Sequence, residues 1–191
     1  MKILGIMPAR SGSKELKNKN LRKLNGKPLI FYTLNTLLKL KNIVYPFVST
    51  DSKLILNYSK RFGLKQNYLR PKKLSTGKSN VVDAVLHAIR WFEKKEIFFD
   101  YILLLEPTSP KRDFKYLKKV INKVTSKNIL SSASICRLQT HPFETVHVNN
   151  KKWSYLKKSK KKTFRRQDFD QNYYFIDGNF YLCKTNFIKK Y

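Results

Sequence analysis

Ile3-Leu-Gly-Ile-Met-Pro-Ala-Arg-Ser-Gly-Ser-Lys-Glu-Leu-Lys-Asn-Lys-Asn-Leu21 decides the reading of this chain. Lys2–Met7 predicts a short buried strand that ends at Pro8. A loop follows with Arg10, Ser11, Gly12, Ser13 and Lys14, and then Lys19-Asn20. Small residues let backbone N–H groups converge on an anion, and nearby cations neutralise it. A strand running into such a loop is where open α/β sheets hold nucleotide phosphates. A Walker A loop is excluded, because its glycine spacing and Gly-Lys-Ser/Thr end are missing. The dinucleotide fingerprint is excluded as well, since Gly12 stands almost alone. Arg10, Lys14 and Lys19 would instead hold a polyphosphate through side-chain cations plus a few amides. The same residues also describe an ordinary basic strand-to-helix loop, and spacing alone does not choose between the two.

Outward from this loop, strand and helix signals alternate. Pro28–Lys39 has helical periodicity, with Pro28 suited to the first turn. Ile43–Ser49 predicts a second strand, and Thr50-Asp51-Ser52 offers N-cap chemistry for a helix over Lys53–Phe62 that stops at Gly63. Asn67–Leu69 predicts a short strand. Ser79–Lys94 is amphipathic, with Val82, Val85, Leu86 and Ile89 on one face. Tyr101–Leu105 predicts a central strand, Asp113 the cap of a helix over Phe114–Val124, and Leu130–Cys136 a further strand. From His141 the pattern shifts to a hairpin over Thr145–Leu156, two short strands at Tyr173–Ile176 and Asn179–Cys183, and a helix start at Thr185. The alternation predicts βαβ units in a doubly wound, mostly parallel sheet.

The 191 residues suit a single domain, 1–191. No run has the length of a transmembrane helix, and the start lacks a signal-peptide pattern. Cys136 and Cys183 sit in apolar stretches without metal-ligand spacing, which predicts buried thiols in a reducing compartment, the cytoplasm. A net charge of +29 raises nucleic acid as a partner. The lysines are spread along the whole chain, however, and no nucleic-acid motif appears. Compositional bias plus an anionic small substrate is the preferred reading, with neither nucleic acid nor membrane as partner.

Three further constellations carry chemistry. Glu106-Pro-Thr-Ser-Pro-Lys-Arg112 follows the central strand, beside the crevice where ligands bind, and two prolines present Thr108, Ser109 and Arg112. It also reads as a proline-bracketed turn. Arg165 and Arg166, followed by Gln167, suit a carboxylate gripped in bidentate fashion, or continue the lysine run before them. Leu69-Arg-Pro-Lys-Lys-Leu-Ser75 reads as a basic turn. His87 and His141 lack a catalytic partner in sequence and read as structural.

Together, Pro8-Ala-Arg-Ser-Gly-Ser-Lys14, Lys19-Asn20-Leu21, Gly26-Lys-Pro-Leu-Ile30, Ser49-Thr-Asp51, Arg70-Pro71, Glu106–Arg112 and Arg166-Gln167 resemble, in order, the CMP-sialic acid synthetase (acylneuraminate cytidylyltransferase) family. The resemblance implies an α/β, Rossmann-like nucleotidyltransferase fold with a small β-rich dimerisation segment, near residues 141–176. It implies transfer of CMP from CTP to an acidic nine-carbon sugar, sialic, legionaminic or related, with release of pyrophosphate. It also implies Mg²⁺ and a homodimer. Arg10 and Lys19 match catalytic phosphate positions. With Ser11, Gly12, Ser13, Lys14, Asn20 and Arg70 they make the nucleotide-binding set. Glu106, Thr108, Ser109, Arg112, Arg165, Arg166 and Gln167 make the sugar side. Other readings are a non-catalytic nucleotide-binding relative and a basic nucleic-acid-binding protein.

The chain also departs from the family pattern. Glu106 stands where these enzymes typically carry Gln, and there a carboxylate faces an acidic sugar. Glu15 replaces a glycine and Asp177 an asparagine. The closely spaced aspartates that hold Mg²⁺ in the family lie beyond the matching segment, so the metal ligands are unassigned and a chain lacking the family's C-terminal end is expected.

Overall fold

Ile3, Leu4, Ile6 and Met7 are all buried, which makes β1 (Ile3–Pro8) a strand covered on both faces. The computed structural model describes residues 1–12, 16–150, 152–157 and 172–190. Asn25 and Gly26 both take positive φ, 47° and 77°, and turn a two-residue hairpin between β2 (Lys23–Leu24) and β3 (Lys27–Pro28). The helix α1 (Leu29–Lys39) then leads to β4 (Tyr45–Ser49), and α2 (Lys53–Arg61) and α3 (Val81–Glu93) precede β5 (Tyr101–Leu104). The chain continues through α4 (Phe114–Ser126), β6 (Ser131–Arg137), β7 (Val146–Asn149), β8 (Lys152–Tyr155), β9 (Tyr174–Lys184) and the short α5 (Thr185–Ile188).

The main sheet has the order β4-β1-β5-β9-β6. β1 pairs parallel with β4 and with β5, and β9 runs antiparallel to β5 with Leu103 opposite Leu182. Each side chain alternation feeds one of two apolar clusters. Ile3, Met7, Val48 and Leu103 pack with Ile30, Leu34 and Leu37 of α1 and Leu117 and Ile121 of α4. Leu4, Ile6, Phe47 and Ile102 pack with Val85, Ala88, Ile89 and Phe92 of α3. This is the doubly wound α/β arrangement that the alternation predicts. Gly5 lets α1 approach closely, since a Cβ there would stand 2.8 Å from Leu37 Cδ2 and 2.9 Å from Val44 Cγ2.

Helix starts follow their caps. Ser52 Oγ accepts from Ile55 N, Asn80 Oδ1 from Val82 N and Asp113 Oδ1 from Tyr116 N. Three expectations are corrected. Residues 67–69 form no strand, because the preceding Gln66 amide occupies the free edge of β4, donating to Val48 O and accepting from Val48 N at 2.9 Å. The two short strands expected near the end are one eleven-residue strand, β9, in which Gly178 absorbs a φ of 69° without ending it. Cys136 is exposed rather than buried, because it falls in the exposed C-terminal part of β6. Cys183 is half-buried, and burial pushes its thiol up to about 11.

The chain divides into two units, residues 1–133 with 178–191, and residues 134–177. The first holds both apolar clusters. In the second, β7 and β8 form an antiparallel hairpin with Val148 opposite Trp153. Val146, Val148, Trp153, Tyr155 and Leu156 are exposed there. Among the described residues no helix is long and apolar enough to cross a membrane.

Candidate active site

The carboxyl ends of β1 and β5 open into a cleft of about 220 Å³, lined by Arg10, Gly12, Lys19, Asn20, Arg70, Glu106 and Thr108 among others. Parallel strands aim their carboxyl ends at the crevice where ligands of open α/β sheets bind. A larger cleft of about 650 Å³ lies at the opposite end of β5, around Phe99, Asp100 and Tyr101. There both acids are already engaged: Lys189 pairs with Glu93, and Asp100 Oδ2 accepts from Lys2 N at 2.6 Å. The smaller cleft is the one with several cations and few anions.

The first loop is tied down at both ends. Ser11 donates twice to Asp51, from its backbone N at 2.8 Å and from its hydroxyl at 2.5 Å, which fixes the loop to the end of β4. Asn20 Nδ2 donates to Arg10 O at 2.9 Å, and Lys19 and Asn20 sit in a single 3₁₀ turn entered through Asn18 at φ 56°. Arg10 Nη1 donates to Thr76 O at 2.6 Å, so the guanidinium leans across toward the segment before α3. Ser13 and Lys14 lie outside the described residues.

Arg70 is 6% exposed. Its backbone N donates to Thr50 O and its Nε to Ser75 Oγ at 3.0 Å, while Nη2 is buried without a hydrogen-bond partner. A buried guanidinium nitrogen left unsatisfied is costly, and it marks a position where a ligand acceptor would complete the bonding. Burial lowers the Arg70 pKa, and the Arg10 charge acts in the same direction; Asp51 and Tyr68 oppose it. Next to Arg70, the Tyr68 hydroxyl meets His87 Nδ1 at 2.9 Å. Burial first, then Arg90, Lys73 and Lys94, holds the His87 pKa below its ordinary value. His141 Nδ1 accepts from Phe143 N and caps a 3₁₀ turn.

On the other wall, Glu106 follows β5 with its backbone carbonyl firmly held. Arg112 Nη2 donates to Glu106 O at 2.5 Å, and Thr33 Oγ1 donates to the same oxygen at 3.3 Å. Arg112 also donates through Nε to Asn179 O and through Nη1 to Thr33 Oγ1, both at 2.7 Å. Its guanidinium thus joins α1, the loop after β5, and β9. Thr108 stands in the cleft, and Ser109 N donates back to Glu106 O in a tight turn. Arg165, Arg166 and Gln167 lie outside the described residues.

Arg10, Gly12, Lys19, Asn20, Arg70, Glu106 and Thr108 therefore share one cleft, although Arg10 and Glu106 lie 96 positions apart in the chain. The sequence offers Asp51 as a cap of α2 and as part of the Ser49-Thr-Asp51 motif; Ser52 is the cap, and Asp51 holds the first loop. Thr33 was read only as part of a helix face, and nothing in its local sequence marks it. Among the described residues no group of three His, Cys, Asp or Glu side chains converges on a metal position, and Glu106 is the carboxylate in the cleft.

A cytidylyltransferase family model matches residues 4–191. The CMP-N,N'-diacetyllegionaminic acid synthase of Legionella pneumophila is 40% identical over 137 residues, 71% of this chain and 59% of that protein. The N-acylneuraminate cytidylyltransferase of Streptococcus agalactiae serotype III is 30% identical over 195 residues, all of this chain and 45% of that protein. The chain thus spans about half the length of these curated relatives. Among solved structures, a CMP:2-keto-3-deoxy-manno-octonic acid synthetase complexed with CTP superimposes with a TM-score of 0.72 at 18% identity, over all of this chain and 77% of that one. At that identity the likeness bears on the fold.

Proposed function

The chain belongs to the cytidylyltransferase family, in its CMP-sialic acid synthetase group, and from that premise we propose that it transfers CMP from CTP to an acidic nine-carbon sugar. The observation that carries the reading is Arg70. It is a buried guanidinium with Nη2 unpartnered, in a cleft that also holds Arg10 and Lys19. Arg10 and Lys19 neutralise the triphosphate, and Arg70 supplies a donor to an acceptor atom of the nucleotide. In the reaction the sugar's anomeric hydroxyl attacks the α-phosphorus in line. A new O–P bond forms, the bond between the α-phosphorus and its bridging oxygen breaks, pyrophosphate leaves, and the hydroxyl proton passes to solvent. Positioning and neutralisation of growing negative charge supply most of the rate, so no covalent nucleophile is required.

Mg²⁺ enters on this reading as the chelate of CTP. Among the described residues the cleft offers one carboxylate, Glu106, and no cluster of three ligands, so a magnesium ion there would be held mainly by the phosphates of CTP. A reaction that consumes CTP assigns the protein to the cytoplasm. Its partners are CTP, the acid sugar and a second copy of the chain, with neither nucleic acid nor membrane. The exposed Val146, Val148 and Trp153 of the β7–β8 hairpin support the second copy. Sedimentation at micromolar concentration is expected to give a dimer that Trp153→Glu weakens at least tenfold; a concentration-independent monomer would remove this part of the reading.

The test is pyrophosphate release by the full chain from CTP and Mg²⁺ with sialic, legionaminic and related acids. Turnover with at least one acid is expected, together with a CTP-dependent rise in melting temperature. A thermal shift without turnover would leave a nucleotide-binding protein, and neither signal would sink the reading.

A further inference from the structure

Glu106 is an anomaly in its own cleft. The chain carries 41 lysines and arginines against 12 acids, yet Glu106 makes no ion pair with any described residue. Its carboxylate instead receives one long hydrogen bond, from Thr108 Oγ1 at 3.4 Å. Its backbone is over-determined by Arg112 and Thr33, so the side chain projects from a fixed point.

Opposite it, Gly178 leaves a space that a side chain would fill. A Cβ on Gly178 would stand 3.6 Å from Glu106 Oε2, 3.7 Å from Tyr181 Oη and 3.9 Å from Ser109 Oγ. Three side-chain oxygens from the loop after β5 and from β9 therefore converge beside a bare glycine. Hydroxyls can donate or accept, but an ionised carboxylate only accepts. Phosphates and the carboxylate of an acid sugar are also acceptors and anions, so Glu106 repels them. What can approach Glu106 is a neutral group that donates a hydrogen bond.

We propose that Glu106, with Ser109 and Tyr181 around Gly178, is the specificity-determining site for the acceptor sugar, selecting a hydroxyl or amide N–H donor and turning the sugar's own carboxylate away. This inference rests on the transferase reading. A site built to receive a donor rejects the analogue that lacks it, because the half-buried carboxylate, covered once the sugar is seated, is then left unpaired. The cations of the cleft stay with the nucleotide, and the neutral, donor-bearing face of the sugar meets β5 and β9.

The experiment compares the full chain with Glu106→Gln, which keeps the shape and removes the charge. Each is assayed for pyrophosphate release with an accepted sugar acid. The same sugar is then tested with single hydroxyl or acylamino groups replaced by hydrogen or fluorine. For one such position the unaltered chain is expected to prefer the donor-bearing sugar strongly. Glu106→Gln is expected to shrink that preference about five- to tenfold, mostly through KM for the sugar, because a neutral acceptor bonds a donor less strongly than a charged one. KM for CTP and the CTP-dependent thermal shift should stay within twofold. An unchanged preference at every position would overturn the inference, as would an equal loss of kcat for all sugars or an altered Mg²⁺ requirement. No turnover by the unaltered chain with any acid would instead overturn the transferase reading itself.

Discussion

Arg10→Ala is expected to lower kcat/KM for CTP by two to three orders of magnitude, with the melting temperature of the free protein nearly unchanged. Arg10 leaves β1 at the point where the strand opens into the cleft. Its side-chain hydrogen bond to Thr76 O joins two loop segments and no buried core group. Removing it costs the fold little. On the proposed reaction it would face the triphosphate, where charge grows on the leaving pyrophosphate, and deleting one preorganised donor of that kind typically costs 10²–10³ in rate. Steady-state kinetics with varied CTP, alongside thermal melts, measure both halves. Arg10→Lys should recover part of the loss, since a point charge replaces a fork. Activity within fivefold of the unaltered chain would show that Arg10 is a bystander on the cleft wall.

The second large effect concerns stability. Arg112→Ala is expected to destabilise the fold by about 2–4 kcal/mol, because one half-buried guanidinium donates to three acceptors on three separate segments and its removal deletes all three bonds at once. Thr33 is fully buried in α1, and Glu106 O and Asn179 O belong to segments far apart in sequence. Losing Arg112 uncouples the loop after β5 from both α1 and β9. The sequence reading put Arg112 on the sugar side of the site; its hydrogen bonds make it also the fastener that fixes where Glu106 stands. Urea denaturation of the two proteins reads the change. A shift in midpoint equivalent to less than 1 kcal/mol would mean that water replaces the guanidinium without difficulty.

Much of the fold could be read from the chain because its signals are local. Buried strands appear as short apolar runs such as Ile3–Met7, and helices announce themselves through caps such as Ser52 and Asp113 or through an apolar face such as that of α3. The failures are non-local. Nothing within residues 67–69 tells that the Gln66 side chain will reach the edge of β4 and occupy it. Nothing within Asp177-Gly178 tells that the strand runs through, because a glycine with positive φ looks like a turn until its neighbours pair. The same division holds at the cleft. Arg10 and Lys19 could be proposed from charge next to a strand end, whereas Arg70 could be proposed only from the family resemblance. Thr33 and Asn179 could not, since their roles exist only once Arg112 arrives between them.

The place of β9 in the sheet has a consequence for how the chain comes together. β4, β1 and β5 can pair as soon as residue 104 has been made, and their helices follow closely in sequence. β6, completed by residue 137, has among the described residues no neighbour in the sheet except β9, which is not finished until residue 184. During synthesis the outer half of the sheet therefore waits, with the edges of β5 and β6 both unpaired, for a strand that must slot between them. Such long-range closure is slow and leaves backbone exposed to other chains in the interval. The fold thus has an early parallel core and a late antiparallel keystone. Because β9 also carries Gly178, Asn179 and Tyr181, an acceptor of Arg112 and the groups that surround Glu106 are the last to arrive.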